Sequence, residues 1–239
     1  MKFILTCGGR GTRIKEITGG VIPKSLVRII DKPLVSYQLE LIKQAGINEV
    51  YIAMNEEWET QLFKESVRIH EFPALNYYFS VVPWGHPLNN FMDNGILEFI
   101  GSEDFYWSYG DIIYNEHLLD ALYEVAHLNN TSVGCRAFAK NRKLLDGKYI
   151  NFVQGSSGKI IGYQPEDEYD FTIHAPFYFK NSALDDIKEE LSIEEPRTIR
   201  LLTRIIDHGG LSIVEPEFYI NMNLPEDVDK VIKFLQNIK

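Results

Sequence analysis

The chain has 239 residues with 24 basic and 34 acidic side chains, and its net charge of −10 argues against a general nucleic-acid binder, whose affinity depends on neutralising many phosphates. Hydrophobic residues make up 45% of the chain, yet no apolar run approaches the roughly 18 residues of a membrane span, and no signal-peptide leader is visible. Cys7 and Cys135 form neither a metal-ligand spacing nor a disulfide framework. From charge, hydropathy and cysteine content together, we expect a cytoplasmic globular protein that binds neither nucleic acid nor membrane.

The predicted elements alternate between strands and helices up to residue 139 and then change to short strands. The patterns predict strand 3–5, strand 26–30, helix 34–45, strand 50–54, helix 57–67, strand 77–82, strand 106–109, helix 116–128 and strand 131–139. Antiparallel strands follow at 149–153, 159–163 and 171–179, with a hairpin loop at 155–158. Repeated βα units predict an α/β fold with an open, mostly parallel sheet flanked by helices. We expect a single domain, 1–239, with halves 1–139 and 140–239.

The first strand leads directly into a glycine-rich loop that predicts a nucleotide site. Backbone N–H groups can approach a ligand closely at glycines, and cationic side chains beside them complete what a polyphosphate requires. The residues concerned are the glycines Gly8, Gly9 and Gly11 and the cations Arg10, Arg13 and Lys24. Two other phosphate-binding loops do not fit. A P-loop would need Gly-Lys-Ser/Thr, and Ile14 stands at the third glycine position of a dinucleotide fingerprint.

The order of the motifs over residues 1–54 resembles the sugar-1-phosphate nucleotidyltransferase family. The matching stretches are Gly8-Gly9-Arg10-Gly11-Thr12-Arg13, Pro23-Lys24 and Lys32-Pro33-Leu34. The resemblance implies a Rossmann-like sheet with a small antiparallel β insertion that forms part of the substrate pocket. It also implies a Mg²⁺-dependent transferase of nucleotide-sugar biosynthesis, in which a nucleoside triphosphate and a sugar 1-phosphate give an NDP-sugar and pyrophosphate. A homo-oligomer is left open.

The same resemblance implies roles for individual residues. Nucleotide binding is implied for Thr6, Cys7, Gly8, Gly9, Arg10, Gly11, Thr12 and Arg13, with Arg10 at a variable position of the motif. Arg13, Lys24 and Asp111 are the implied catalytic residues. Arg13 is expected to bind the β- and γ-phosphates, and Lys24 to draw the α-phosphate and the sugar phosphate together. The plainer interpretations are a solvated turn lysine for Lys24 and a small neutral filler for Cys7.

The implied metal ligands lie at the ends of two strands. Asp111 follows the aromatic run 105–109, and a carboxylate at the carboxyl end of a strand suits Mg²⁺. By resemblance Asp111 and Asn221 hold the ion, with Asn223 as the alternative to Asn221, because an amide oxygen can coordinate Mg²⁺ without adding charge. An ordinary Gly-Asp turn is the other interpretation of Asp111. The stretch 225–227 is interpreted as the start and the cap of the last helix.

The two larger departures from the family pattern lie at 163–165 and 83–95. The usual Glu-Lys-Pro is replaced by Tyr163-Gln164-Pro165, which removes the lysine that contacts the sugar phosphate. The loop 83–95 lacks the family's base-recognition sequence, although its asparagines Asn89, Asn90 and Asn94 could bond a base edge. These departures, together with the neutral Asn221 at a metal-ligand position, leave two alternatives open. One is a cytidylyltransferase for a non-sugar phosphate of the polyol or choline type, and the other is a non-catalytic nucleotide-binding homologue.

Overall fold

The computed structural model describes residues 1–9, 11–67, 72–82, 88, 91, 94–139, 150–155, 160–163 and 171–237. The chain forms two units: unit 1 (Met1–Trp84, Ser108–Glu116, Phe218–Lys239) and unit 2 (Gly85–Trp107, His117–Glu217). The elements are β1 (Lys2–Thr6), α1 (Lys15–Thr18), β2 (Arg28–Ile29), β3 (Lys32–Pro33), α2 (Leu34–Gln44), β4 (Glu49–Met54), α3 (Glu57–Val67), β5 (Asn76–Val81), α4 (Asn94–Ile100), β6 (Phe105–Tyr109), β7 (Ile112–Tyr114), α5 (Leu118–Leu128), β8 (Val133–Ala139), β9 (Ile150–Gln154), β10 (Ile160–Tyr163), β11 (Phe171–Phe179), α6 (Leu184–Leu191), α7 (Thr198–His208), β12 (Leu211–Val214), β13 (Tyr219–Asn221) and α8 (Pro225–Asn237).

Unit 1 contains a sheet with the order β6-β1-β4-β5, to which β6 contributes its last two residues. The pairs β1–β4 and β4–β5 are both parallel, with Phe3 opposite Val50 and Val50 opposite Tyr77. In the strand β1, Phe3, Ile4 and Leu5 are all fully buried. A parallel strand that is covered on both faces has such a continuous apolar run. Helix α3 packs against β4 and β5. The predicted α/β sheet flanked by helices is confirmed.

A second part of unit 1 holds the carboxyl-terminal tail against the opening loop. Strand β13 pairs antiparallel with β7, which places Asn221 opposite Ile112. Beneath this ribbon, apolar side chains from the loop, the ribbon and α8 form one buried cluster. Its members include Ile14, Val27, Ile113, Met222 and Val231. Burial of this apolar surface joins segments from both ends of the chain, so the tail has a defined place beside the glycine loop.

Unit 2 contains most of the antiparallel strands. Strand β11 pairs antiparallel with β8, with β9 and with the first residues of β6, whereas β8 and β12 are parallel. Helix α5 buries Leu118, Leu119, Leu122 and Ala126, and it packs against β8, β11 and β12. The antiparallel strands expected near 150–179 are present, and β6 and β8 also take part in antiparallel pairs.

Element bounds agree with the sequence expectations to within two residues for the strands at 50–54, 77–82, 106–109 and 171–179 and for the helices at 34–45, 57–67 and 116–128. The predicted strand 26–30 is wrong in its length. A 3₁₀ turn over Lys24–Leu26 is followed by the two-residue strand β2, because the chain reverses at once into β3. The predicted single domain with halves at 1–139 and 140–239 stays a prediction. Within the described ranges, the chain has no helix both long and apolar enough to span a membrane.

Candidate active site

The glycine loop continues from β1 at the carboxyl edge of the unit 1 sheet. The Cys7 amide donates to the Ala53 carbonyl at 2.8 Å, which extends the β1–β4 pairing by one residue before the chain turns. Gly11 has φ 57°, and a Cβ there would lie 2.9 Å from both Lys24 Cγ and Thr18 Cγ2. Glycine is therefore required at this position both by its left-handed backbone and by the close approach of Lys24.

Lys24 is the centre of the site. Its ammonium group donates to Asp111 Oδ2 at 2.6 Å, to the Met222 carbonyl at 3.1 Å and to Asn223 Oδ1 at 3.1 Å. These three bonds use all three of its N–H donors. The Lys24 side chain is 12% exposed and that of Asp111 is 20% exposed, so the ion pair lies in a partly desolvated position. This is not the environment of a solvated turn lysine, and the structure brings Lys24 and Asp111 together as a charged pair.

Arg13 joins the same cluster from the other side of the loop. Its Nη2 donates to Asn223 Oδ1 at 2.6 Å, so two cations converge on one asparagine. Arg13, Lys24, Asp111 and Asn223 thus form a connected set of hydrogen bonds within unit 1. We call this set the cation cluster. It combines two positive groups, one carboxylate and one neutral amide, which leaves it with net positive charge for a polyphosphate.

The position of Asp111 is determined by backbone bonds on both sides. The Gly110 amide donates to the Thr6 carbonyl at 2.8 Å, and the Met222 amide donates to the Asp111 carbonyl at 2.9 Å. The carboxylate therefore lies between the glycine loop and the carboxyl-terminal tail. Lys24 bonds one of its oxygens, Oδ2, and the second oxygen has no hydrogen bond within the part of the chain that the structure describes.

The two candidate amide ligands differ in their surroundings. Asn221 Oδ1 is buried and has no hydrogen-bond partner among the described residues, whereas Asn223 Oδ1 accepts bonds from two cations. A buried amide oxygen without a donor is costly unless a ligand satisfies it, and a hard cation would do so. The donor chemistry of Asp111 and Asn221 thus fits Mg²⁺, and the hydrogen bonding favours Asn221 over Asn223.

Cys7 is buried, and burial raises the pKa of its thiol. Its backbone carbonyl accepts a bond from Ser25 Oγ at 3.0 Å, which ties the glycine loop to the turn that carries Lys24. A buried, protonated thiol is a poor nucleophile. The environment of Cys7 therefore supports the interpretation as a small neutral filler.

Two residues of the site were not among the predicted nucleotide-binding or metal residues. Asn55 follows β4, and a Cβ on Gly8 would lie 2.2 Å from its Nδ2 atom, so the space that Gly8 leaves is filled by this side chain. Asp227 Oδ2 accepts bonds from the Asn223 amide at 3.0 Å and the Leu224 amide at 2.8 Å. The predicted capping role of Asp227 is confirmed, and the cap also anchors Asn223. The signal for Asn55 was its place directly after a strand of the sheet, where ligands bind in open α/β folds.

Several sequence predictions lie outside the described residues. Arg10 is one of them. The others are most of the loop 83–95, including Asn89 and Asn90, the stretch 164–170 with Gln164 and Pro165, residues 156–158 of the predicted hairpin loop, and the first residues, 149 and 159, of two predicted strands. Gly9 is described, and a Cβ there would meet no atom within 4 Å.

Comparison with known proteins identifies relatives of this chain. The family model described as "Nucleotidyl transferase" matches residues 2–212. A choline-phosphate cytidylyltransferase of Streptococcus pneumoniae is 25% identical over 206 residues, which cover 82% of this chain and 89% of that protein. A glucose-1-phosphate thymidylyltransferase of Neisseria meningitidis is 25% identical over 217 residues, which cover 89% of this chain and 74% of that protein.

Other matches are more partial or more distant. The chain spans 33% and 35% of the length of two further curated relatives. The solved structure of the inositol-1-phosphate CTP transferase from T. maritima aligns with 100% of this chain and 96% of that chain, with a TM-score of 0.77 and 17% identity, which shows a shared fold. Since the family model covers most of the sequence, the chain belongs to the nucleotidyl transferase family of enzymes, as its opening motifs predict.

Proposed function

We propose that the chain transfers a nucleotidyl group from a nucleoside triphosphate to a sugar 1-phosphate, with Mg²⁺, and releases pyrophosphate. The observation that carries the proposal is the cation cluster beside the glycine loop. Arg13 and Lys24 converge there with the Asp111 carboxylate at the carboxyl edge of the sheet. The names of the two relatives that align with 82% and 89% of this chain describe nucleotidyltransferases for phosphorylated acceptors, which supports the same reaction class.

In the proposed reaction, an oxygen of the acceptor phosphate forms a bond to the α-phosphorus. The bond from that phosphorus to the bridging oxygen breaks, and pyrophosphate takes the electron pair. The attacking oxygen is already an anion, so no side chain has to remove a proton. The chain therefore has two tasks, which are to orient the phosphates and to offset their negative charge.

The cation cluster suits both tasks. Arg13 would bind the outer phosphates, and Lys24 would bind the α-phosphate and the acceptor phosphate. To do so, Lys24 exchanges some of its present partners for phosphate oxygens, since its three donors are already used. Asp111 and Asn221 would hold Mg²⁺, which when bound offsets phosphate charge and orients the triphosphate. The Asn221 oxygen, which has no hydrogen-bond partner in the described part of the chain, supports this assignment.

The test of the proposal is pyrophosphate release with Mg²⁺, measured for each common nucleoside triphosphate against a panel of sugar 1-phosphates and alcohol phosphates. Release with one sugar 1-phosphate supports the proposal and identifies both substrates. If no pair of substrates in the panel gives pyrophosphate release while the chain still binds triphosphate, the proposal is contradicted and a non-catalytic nucleotide-binding homologue is favoured. The cytoplasmic location stays a prediction from the sequence, which is also compatible with a homo-oligomer.

A second candidate function is cytidylyl transfer to a non-sugar phosphate. It is favoured by the pneumococcal choline-phosphate cytidylyltransferase, which this chain matches over 89% of that protein's length. The same panel distinguishes the two candidates, because this one requires CTP together with an alcohol phosphate such as phosphocholine. Activity with that pair alone would replace the sugar acceptor by a non-sugar one while leaving the role of the cation cluster unchanged.

The proposed metal site has its own test. Asp111→Asn should abolish Mg²⁺-dependent turnover, because the carboxylate provides the only protein charge of the proposed ligand pair. Asp185→Asn is the control, since the Asp185 side chain is 95% exposed and its contact with Lys188 is a surface ion pair. Wild-type turnover with a normal Mg²⁺ requirement in Asp111→Asn would remove Asp111 from the site.

A further inference from the structure

The most informative atom of the cation cluster is the side-chain oxygen of Asn223. It accepts one bond from Arg13 Nη2 at 2.6 Å and another from Lys24 Nζ at 3.1 Å. An amide oxygen has two acceptor positions, so both are used. The two cations are 210 and 199 positions away in sequence, and this one oxygen holds them side by side.

Asn223 is itself held in place. Its backbone amide donates to Asp227 Oδ2 at 3.0 Å, and Asp227 is 6% exposed and also bonds Lys230 at 2.8 Å. The neighbouring residue Met222 is fully buried, with its amide on the Asp111 carbonyl and its own carbonyl on Lys24. The first turn of α8 therefore fixes the backbone that carries the Asn223 oxygen.

A neutral acceptor has a particular value at this position. Arg13 and Lys24 repel each other when brought close, and a shared acceptor offsets part of that repulsion. A carboxylate would offset more, but its negative charge would also repel the phosphates that the cations are to bind. The amide thus holds the two cations at a fixed spacing and leaves their positive charge available to adjacent phosphoryl groups.

We propose that Asn223 is a positioning residue that sets the spacing between Arg13 and Lys24 for neighbouring phosphates of the triphosphate. This inference rests on the proposed function. It assigns the Asn223 oxygen to the two cations, and not to the metal ion. Asn223 touches neither the reacting atoms nor the metal, and it acts through the two side chains that it holds.

The assignment makes a specific prediction for binding without metal. Asn223→Ala releases Arg13 and leaves Lys24 with Asp111 and the Met222 carbonyl, so the two cations lose their common spacing. The affinity for inorganic tripolyphosphate in EDTA should fall about tenfold, the size expected for one lost charge-assisted contact. A residue that acted only as a metal ligand would produce no loss under these conditions.

The experiment is isothermal titration calorimetry of the full chain with tripolyphosphate, in EDTA and in Mg²⁺, on wild type, Asn223→Ala, Arg13→Ala and the double variant. Asn129→Ala is the matched control, because it removes one asparagine hydrogen bond, to Ser212 Oγ at 3.0 Å, in unit 2. We expect Asn223→Ala to weaken binding in EDTA. In the Arg13→Ala background it should weaken binding by less than about a further twofold, because both changes remove the same Arg13–Asn223 hydrogen bond. Circular dichroism verifies folding, and Asn223→Ser replaces Asn223→Ala if the latter does not fold.

Two results would overturn the inference. One is unchanged binding of tripolyphosphate by Asn223→Ala in EDTA. The other is a further loss of affinity of about tenfold when Asn223→Ala is added to Arg13→Ala. Either result would show that Asn223 does not act through the cations. Both results presuppose that wild type binds tripolyphosphate, so the proposed function survives them. Absence of binding by wild type with and without Mg²⁺ would contradict the proposed function together with the inference.

Discussion

Replacing Lys24 with methionine tests the centre of the site, because the change removes the ammonium group and keeps most of the apolar stem. In the absence of ligand it leaves the Asp111 carboxylate without its cation at a position that is only 20% exposed. Exposed ion pairs contribute about 0–1 kcal/mol, and breaking a fully buried pair costs about 3–5 kcal/mol. For this partly buried pair we expect the free energy of unfolding to fall by about 2 kcal/mol. For a chain of this size that corresponds to a decrease of about 6 °C in Tm.

The effect on turnover should be much larger than the effect on stability. Removal of a single preorganised donor to a charge-bearing transition state costs about 10²–10³ in kcat. Lys24→Met should therefore lower pyrophosphate release by about three powers of ten while the protein stays folded at assay temperature. The assay is pyrophosphate release under saturating substrates, with Tm measured on the same preparation.

Lys32→Met is the matched control. Lys32 also pairs with a carboxylate in unit 1, that of Glu40, with side chains 28% and 43% exposed, and its ammonium lies 4.2 Å from the centre of the Tyr37 ring. This change should cost no more than about 1 kcal/mol of stability and leave turnover within about threefold of wild type. If Lys24→Met retained turnover within threefold of Lys32→Met, the assignment of Lys24 to the phosphates would be refuted.

Three further predictions follow from local geometry. Gly8→Ala should lower the free energy of unfolding by about 1–3 kcal/mol, because the new Cβ would lie 2.2 Å from the Asn55 amide. Asn55→Ala in that background should recover part of the loss, whereas additive losses in chemical denaturation would contradict this. Ile30→Gly should stabilise the protein by about 1 kcal/mol, because Ile30 is 47% exposed and has φ 60°, a left-handed conformation costly for a β-branched residue; a lower Tm would oppose this. Cys7 should react with a thiol reagent at pH 8 only after denaturation, because burial raises the pKa of its thiol; rapid labelling of the native protein would count against it.

The local features of the site could be predicted from sequence because each is encoded in a few neighbouring residues. An apolar run followed by closely spaced glycines indicates a strand that ends in a tight loop, and the structure has this at β1 and Gly11. The aromatic run before Gly110 likewise forms β6, which ends at Tyr109. Asp111 therefore follows the end of this strand, where it was expected. Hydrophobic periodicity predicted α2, α3 and α5 for the same reason.

Tertiary structure decided which of these groups touch. Lys24 and Asp111 are 87 positions apart, and no local propensity relates them. They meet because the buried cluster beneath β7, β13 and α8 holds the carboxyl-terminal tail against the opening loop. The same packing gave the two asparagines of the tail different surroundings. The buried Asn221 oxygen has no partner among the residues that the structure describes, and the Asn223 oxygen is shared by two cations. Residue types and strand ends are local properties of this sequence, whereas the pairing of charges across the site depends on long-range burial of apolar surface.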